Sequence, residues 1–322
     1  MEYKKVLPSI GQKPQQIINK QLKVLSTIGE KAFGPLMMAL SGHPEANWKE
    51  AQSNYVNAFL EHLPQPEGVS VSDVDMGGVP GLLITPDEVI GERTLFYIHG
   101  GGYVSGSASM YVLLASRFAK ELKAKVYLPD YRLAPEFPYP TPIDDTFTAY
   151  HWLIKSGCNS ASLSIIGDSA GGAMVVTMMV KARNANLPLP ASAVALSPWA
   201  NLENNGTSMY NRDHLDFAVT QKVLSQMAHT FLDGILPTDP DASPVFADVR
   251  GLSPTMILIG ENEVMLSDAI RLASHLGENR VRVSLEIWPG LLHVWPQYGP
   301  ELIESEKAIK NIAFFIEQFI PE

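Results

Sequence analysis

Apolar residues recur along this chain with two different periods, and the period changes near residue 65. Before it, Ile17, Ile18, Leu22, Leu25, Ile28 and Phe33 fall at helical spacing between Gln15 and Leu40, with a break expected at Gly34-Pro35. Asn47 can cap a second helix carrying Trp48, Ala51, Tyr55, Phe59 and Leu60, which Pro64 stops. Val69, Val71 and Val74 then alternate with polar residues, and Leu82-Leu83-Ile84 follows the Gly77-Gly78 turn. That pattern predicts an antiparallel hairpin.

From Thr94 onward, short apolar runs alternate with longer segments of helical period. Strands are expected at 94–98, 125–128, 162–166 and 192–196, with helices at 109–122, 142–156 and 171–184. The alternation lapses between Asn201 and Pro254. A polar, Asn-rich stretch there leads to a helical segment at 220–232 and a loop holding Pro237, Pro240 and Pro244. It resumes with strands at 256–259 and 281–287 and helices at 266–276 and 301–319. Such alternation implies an α/β fold, a mostly parallel sheet with helices on both faces. Residues 65–199 and 236–322 are the two expected parts of its core. Residues 1–64 and 200–235 are expected to pack together as a helical cap over the sheet's active edge.

Composition narrows the function. A chain of 322 residues with 46% hydrophobic and 18% charged content can bury a large core and is not disordered. Lysine and arginine total 24 against 34 acidic residues, so the net charge is 24 − 34 = −10. No basic surplus is available to neutralise phosphates, which argues against nucleic-acid and anionic-membrane partners. The single cysteine, Cys158, cannot form an internal disulfide, and no Cys/His cluster suggests a metal. The most apolar early stretch, 33–40, is far short of the roughly 20 residues needed to span a bilayer. A cytoplasmic protein without a membrane span is expected.

Two glycine-rich runs carry the chemistry. His99-Gly100-Gly101-Gly102-Tyr103 and Gly167-Asp168-Ser169-Ala170-Gly171-Gly172 each follow a predicted buried strand. A Gly-x-Ser-x-Gly on a strand-to-helix turn lifts a serine hydroxyl to the edge of a sheet. A glycine turn after a neighbouring strand can aim backbone N–H groups at the oxyanion formed when that serine attacks a carbonyl. Serine also needs a base, normally histidine, oriented by a carboxylate. In an α/β-hydrolase these follow in the order Ser, acid, His, on loops after later strands. Of eight histidines only His293 follows a late strand after the acid candidates. The acid is Glu263, Asp268 or Glu261. Glu263 lies in the turn itself, whereas Asp268 is expected to begin the next helix, where a carboxylate is favourable for capping alone.

These blocks resemble the bacterial hormone-sensitive-lipase-like carboxylesterases, in the branch with a Gly-Asp-Ser-Ala-Gly elbow. The resemblance also rests on Asp130-Tyr131-Arg132-Leu133-Ala134-Pro135-Glu136 with Pro138 and Pro140, on Ala242-Ser243-Pro244-Val245-Phe246-Ala247-Asp248, and on segments 260–268 and 289–293. It spans residue 65 to the end; the first helices match only in character. It implies an α/β-hydrolase fold with Ser169 as nucleophile and His293 as base. Glu263 would be the acid, three residues past the strand-ending Gly260, where many members carry Asp. Gly101, Gly102 and Ala170 would form the oxyanion hole. Tyr131 to Glu136 is then structural, with Arg132 paired to a carboxylate such as Asp130 or Glu136. Asp168 holds the elbow, and His99 braces the glycine loop.

The expected activity is cofactor-free hydrolysis of small carboxylic esters of short to medium acyl chain through an acyl-enzyme. Phe33, Leu36, Met37, Met38, Leu215 and Phe217 of the cap would wall the acyl pocket. A lactonase or acyltransferase would use the same triad. An amidase or peptidase, or a non-catalytic binder such as the plant hormone receptors related to this family, fits less well. The last strand, 281–287, is expected at a sheet edge, and members of the family often dimerise through that edge, so a homodimer is expected.

Overall fold

A computed structural model describes residues 12–61, 64–216 and 219–321, and among these eight strands join in one sheet. Two helices, α1 (Gln12–Leu40) and α2 (Trp48–Leu60), precede the hairpin β1 (Val69–Asp75) and β2 (Pro80–Pro86). Then come β3 (Thr94–Ile98), α3 (Ala108–Leu122), β4 (Lys125–Pro129), α4 (Thr141–Lys155), β5 (Leu163–Asp168), α5 (Ala170–Asn184) and β6 (Ser192–Leu196). The chain leaves the sheet for α6 (Ser208–Asn211) and α7 (Gln221–Leu232). It returns for β7 (Thr255–Gly260), α8 (Leu266–Glu278), β8 (Val283–Trp288) and α9 (Ile303–Glu317).

The strand order is β1-β2-β4-β3-β5-β6-β7-β8, with β1 and β2 antiparallel and the remainder parallel. Every residue of β3, β5, β6 and β7 is buried, because helices cover both faces of the parallel part. Side chains split between the faces with the strand period of two. Phe96, Ile98, Ile165 and Ile257 face α4, α5 and α8, whereas Leu95, Tyr97, Ile166 and Leu258 face α3 and α9. β8 closes one end of the sheet and is only partly buried.

Two expectations need correction. The break at Gly34-Pro35 does not occur, and α1 runs through it. Proline at position 35 removes one helical hydrogen bond, but packing holds both sides of it. Ala32, Leu36, Ala39 and Leu40 are buried, and Phe33 meets Tyr55 and Phe59 of α2 edge-on at 5.6 and 6.2 Å. Arg132 pairs with neither Asp130 nor Glu136. Its guanidinium forks onto Asp145 of α4 at 2.8 and 2.7 Å, and its backbone N–H donates to the same carboxylate at 3.0 Å. Asp130 is engaged by the first N–H of α3, that of Ala108, at 2.8 Å, and Glu136 reaches Lys49 of α2 at 3.2 Å.

α1 packs on α2 and on α7, so the two helical additions meet above the carboxyl ends of the strands. The polar stretch after Asn201 forms turns and the single helical turn of α6. Among the described residues no helix is long and apolar enough to cross a membrane.

Candidate active site

Ser169 is the one residue between the end of β5 and the start of α5, and it turns the chain with φ 55° and ψ −119°. An L-residue resists that conformation, which survives only where neighbours fix it. Here its N–H donates to Leu196 at 2.9 Å, and its carbonyl accepts from Ala173 at 3.1 Å and Trp199 at 3.0 Å. The turn also requires glycine beside it. A Cβ on Gly171 would sit 2.1 Å from the Ile98 carbonyl oxygen.

The glycine loop after β3 lies against this elbow. Gly101 has φ 113°, and a Cβ there would fall 1.9 Å from the Ser105 carbonyl oxygen. Asp168 fastens the loop. Its Oδ1 accepts the Gly100 N–H at 3.1 Å and the Tyr97 hydroxyl at 2.9 Å, and its Oδ2 accepts the Tyr111 hydroxyl at 3.2 Å. Burial pushes the Asp168 carboxyl up to about 6 despite these donors. His99 Nδ1–H donates to the Gly100 carbonyl at 2.7 Å while its ring stacks on Tyr131 at 4.2 Å. Burial lowers its pKa, so His99 stays neutral and props the loop. The backbone N–H groups of Gly101, Gly102 and Ala170 donate to no described residue. Ala170 is also the first residue of α5, where such N–H groups face outward and favour negative charge.

The turn after β7 and the loop after β8 bring Glu263 and His293 together. Glu263 is wholly buried, and its Oε2 accepts Nδ1–H of His293 at 2.9 Å. Its Oε1 accepts the Gly260 N–H at 2.6 Å and the Ser197 hydroxyl at 2.7 Å. This bond assigns the tautomer: Nδ1 carries the proton and Nε2 is the basic nitrogen. Burial alone would lower the His293 pKa. The hydrogen bond to Glu263 and the charges of Glu263, Asp216 and Asp168 outweigh it and hold His293 above its usual value. Arg117 of α3 anchors the loop beyond His293, donating to the Pro296 carbonyl at 2.6 Å and the Ser305 hydroxyl at 3.0 Å.

The other two acid candidates lie elsewhere. Asp268 is buried in the first turn of α8 beside Gly206 and Asn201, and burial raises it well above the carboxylate range. Glu261 accepts the Gly290 N–H at 3.3 Å and stands 3.9 Å from Arg212. Neither has a hydrogen bond to His293.

Ser169, His293, Gly101 and Gly102 share one cavity of about 380 Å³. Phe33, Leu36 and Met37 line it as expected, but Met38 is largely exposed and Leu215 is not in the wall. Phe217 lies outside the described residues. The α7 wall comes instead from Val223, Leu224 and Met227, whose helical spacing is legible in the sequence once α7 is known to be the roof. Ser197 and Asp216 carried no motif signal; only the sheet order places Ser197 beside the acid turn. Among the described residues no group of three or more His, Cys, Asp or Glu could hold a metal ion.

Comparison with known proteins agrees with this layout. Residues 95–297 match a family model described as alpha/beta hydrolase fold. An "Acetyl-hydrolase" of Streptomyces hygroscopicus is 35% identical over 251 residues, covering 75% of this chain and 84% of the relative. An "Esterase" of Acinetobacter venetianus is 28% identical and covers 81% of this chain and 88% of its own. Among solved structures, an esterase from the bacterial hormone-sensitive lipase family superposes with a TM-score of 0.84 at 31% identity, covering 97% and 99% of the two chains. A mutant of the esterase E40 gives 0.86 at 32% identity, covering 97% and 100%. The chain therefore belongs to the α/β-hydrolase family, among the bacterial hormone-sensitive-lipase-like esterases, and is a carboxylic ester hydrolase.

Proposed function

We propose that the chain is a serine carboxylesterase that cleaves short- to medium-chain esters through an acyl-enzyme. The observation that carries this reading is the 2.9 Å bond from His293 Nδ1–H to buried Glu263, in a cavity shared with Ser169. Nε2 of His293 takes the Ser169 proton as Oγ attacks the ester carbonyl. The N–H groups of Gly101, Gly102 and Ala170 receive the oxyanion. Collapse of the tetrahedral intermediate breaks the bond to the alcohol oxygen, which leaves with the proton from His293. Water then attacks the acyl-Ser169 ester by the same route and frees the acid. No cofactor takes part.

The acyl-chain preference rests on the roof. A cavity of about 380 Å³ closed by α1 and α7 favours compact acyl groups over an emulsified triglyceride. The described parts of residues 1–64 and 200–235 act as this cap, and 65–199 with 236–322 as the core. Turnover on p-nitrophenyl esters of rising chain length tests the preference; faster turnover on long-chain emulsions than on butyrate overturns it. Ser169→Ala should abolish both turnover and labelling by a phosphonate, and retained turnover overturns the mechanism.

The same reading makes the chain a cytoplasmic homodimer. The unpaired edge of β8, with Ile287 exposed on it and Phe314 exposed on α9, suits pairing with a second copy. Light scattering on the protein and on Ile287→Lys tests this, and a wild-type monomer at micromolar concentration overturns it.

A further inference from the structure

We propose that Asp216 is a positioning residue for the Glu263–His293 pair, joining the cap to the acid turn and adding its charge to those that act on the imidazole. The proposal rests on the triad reading above. Asp216 is buried, in the stretch between α6 and α7. Its Oδ2 accepts the N–H of Val264, the residue after Glu263, at 3.1 Å. Its Oδ1 accepts the N–H of Val219, a cavity-wall residue of the cap segment, at 3.1 Å. One carboxylate thus joins the wall of the pocket to the backbone that aims Glu263. Hydrogen bonds to an ionised acceptor are about twice as strong as neutral ones, so the charge matters as well as the shape.

The surroundings of Asp216 couple that charge to catalysis. Glu263, His293 and the Tyr298 phenol all interact with it electrostatically. Burial and the charge of Glu263 raise Asp216, His293 and the two backbone N–H groups pull the other way, and the balance stands at about 7. Conversely, ionised Asp216 raises the pKa of His293. When His293 takes the Ser169 proton it becomes a cation that ionised Asp216 steadies in addition to Glu263 and Asp168. A negative charge that acts only on the protonated imidazole stabilises the transition state more than the bound ester, so its loss should appear in kcat.

The test is the pH profile of kcat/KM on p-nitrophenyl butyrate for Asp216→Asn and Asp216→Glu beside the wild type. Asp216→Asn should lower kcat about 10–100-fold, the range typical of outer-shell partners, with KM little changed. Its acid limb should move to lower pH, because His293 loses a charge that raises it. Asp216→Glu should return the limb toward the wild-type position. A purely structural residue would not move that limb selectively with charge. An Asp216→Asn enzyme with the wild-type limb overturns the proposal. So does failure of both variants to fold, which would assign Asp216 to stability alone. Phosphonate labelling of Ser169 in each variant reports separately on the triad, whose failure would show in Ser169→Ala and not here.

Discussion

Ser197 Oγ stands between Glu263 and the residue that follows His293. It donates to Glu263 Oε1 at 2.7 Å and accepts the Val294 N–H at 3.1 Å. A hydroxyl suits this place because it can do both at once. Ser197→Ala leaves the buried Val294 N–H unpaired and removes one donor from the carboxylate. A stability loss of about 1–3 kcal/mol follows from the unpaired group. We expect kcat to fall with KM nearly unchanged. Denaturation curves and steady-state kinetics check both, and an unchanged kcat would detach Ser197 from the acid.

The acids can be told apart by neutralising each in place. Glu263→Gln should lower kcat/KM about 10²–10⁴-fold, as loss of a triad acid does elsewhere. Asp268→Asn should keep near-full activity, since burial already holds that carboxyl well above its usual range.

The pH dependence of the wild type carries the sign of the same interaction. Because Glu263 and its neighbours outweigh burial, His293 titrates above 6.5, and its protonation at lower pH removes the base. The acid limb of kcat/KM should therefore lie above the ordinary histidine range. In the residual activity of Glu263→Gln, that limb should move down.

Gly101→Ala should fail through the oxyanion loop rather than through binding. The added Cβ meets the Ser105 carbonyl oxygen at 1.9 Å, so the loop must shift away from its N–H geometry. Loss of one oxyanion donor costs about 10²–10³ in turnover. Phosphonate labelling would slow with kcat, while far-ultraviolet circular dichroism stays unchanged.

Asp145→Ala tests the corrected ion pair. Asp145 is nearly buried and accepts three bonds from Arg132, so its loss should lower stability by roughly 1.5–3 kcal/mol. Glu136→Ala removes only the exposed contact to Lys49 and should change the denaturation midpoint little.

Much of the fold is legible in the sequence because hydrophobic period and local chemistry agree there. Strand β6 ends where its alanine and valine run ends, and the turns after β5 and β7 are marked by their own glycines. Ser169, Glu263 and His293 are readable as candidates because each follows a strand in the order the fold requires. What could not be read depends on contacts between distant segments. Gly34-Pro35 signals a stop, yet α1, packed on α2 and α7, continues through it. Arg132 has two acidic neighbours in sequence and takes a third from α4, because only Asp145 offers a nearly buried carboxylate square to the fork. Ser197 and Asp216 belong to segments without a motif, and their meaning comes only from what β7 and β8 carry past them.

The carboxylates gathered around the cavity have a consequence for turnover. An ester enters uncharged, but its acid product ionises in a cavity lined by Asp168 and Glu301, with Glu263 buried behind His293. During the reaction these charges steady an imidazolium; once that proton has gone, they repel what has been made. The site that draws a neutral substrate into an apolar pocket thus expels its own product, and inhibition by the released acid should be weak.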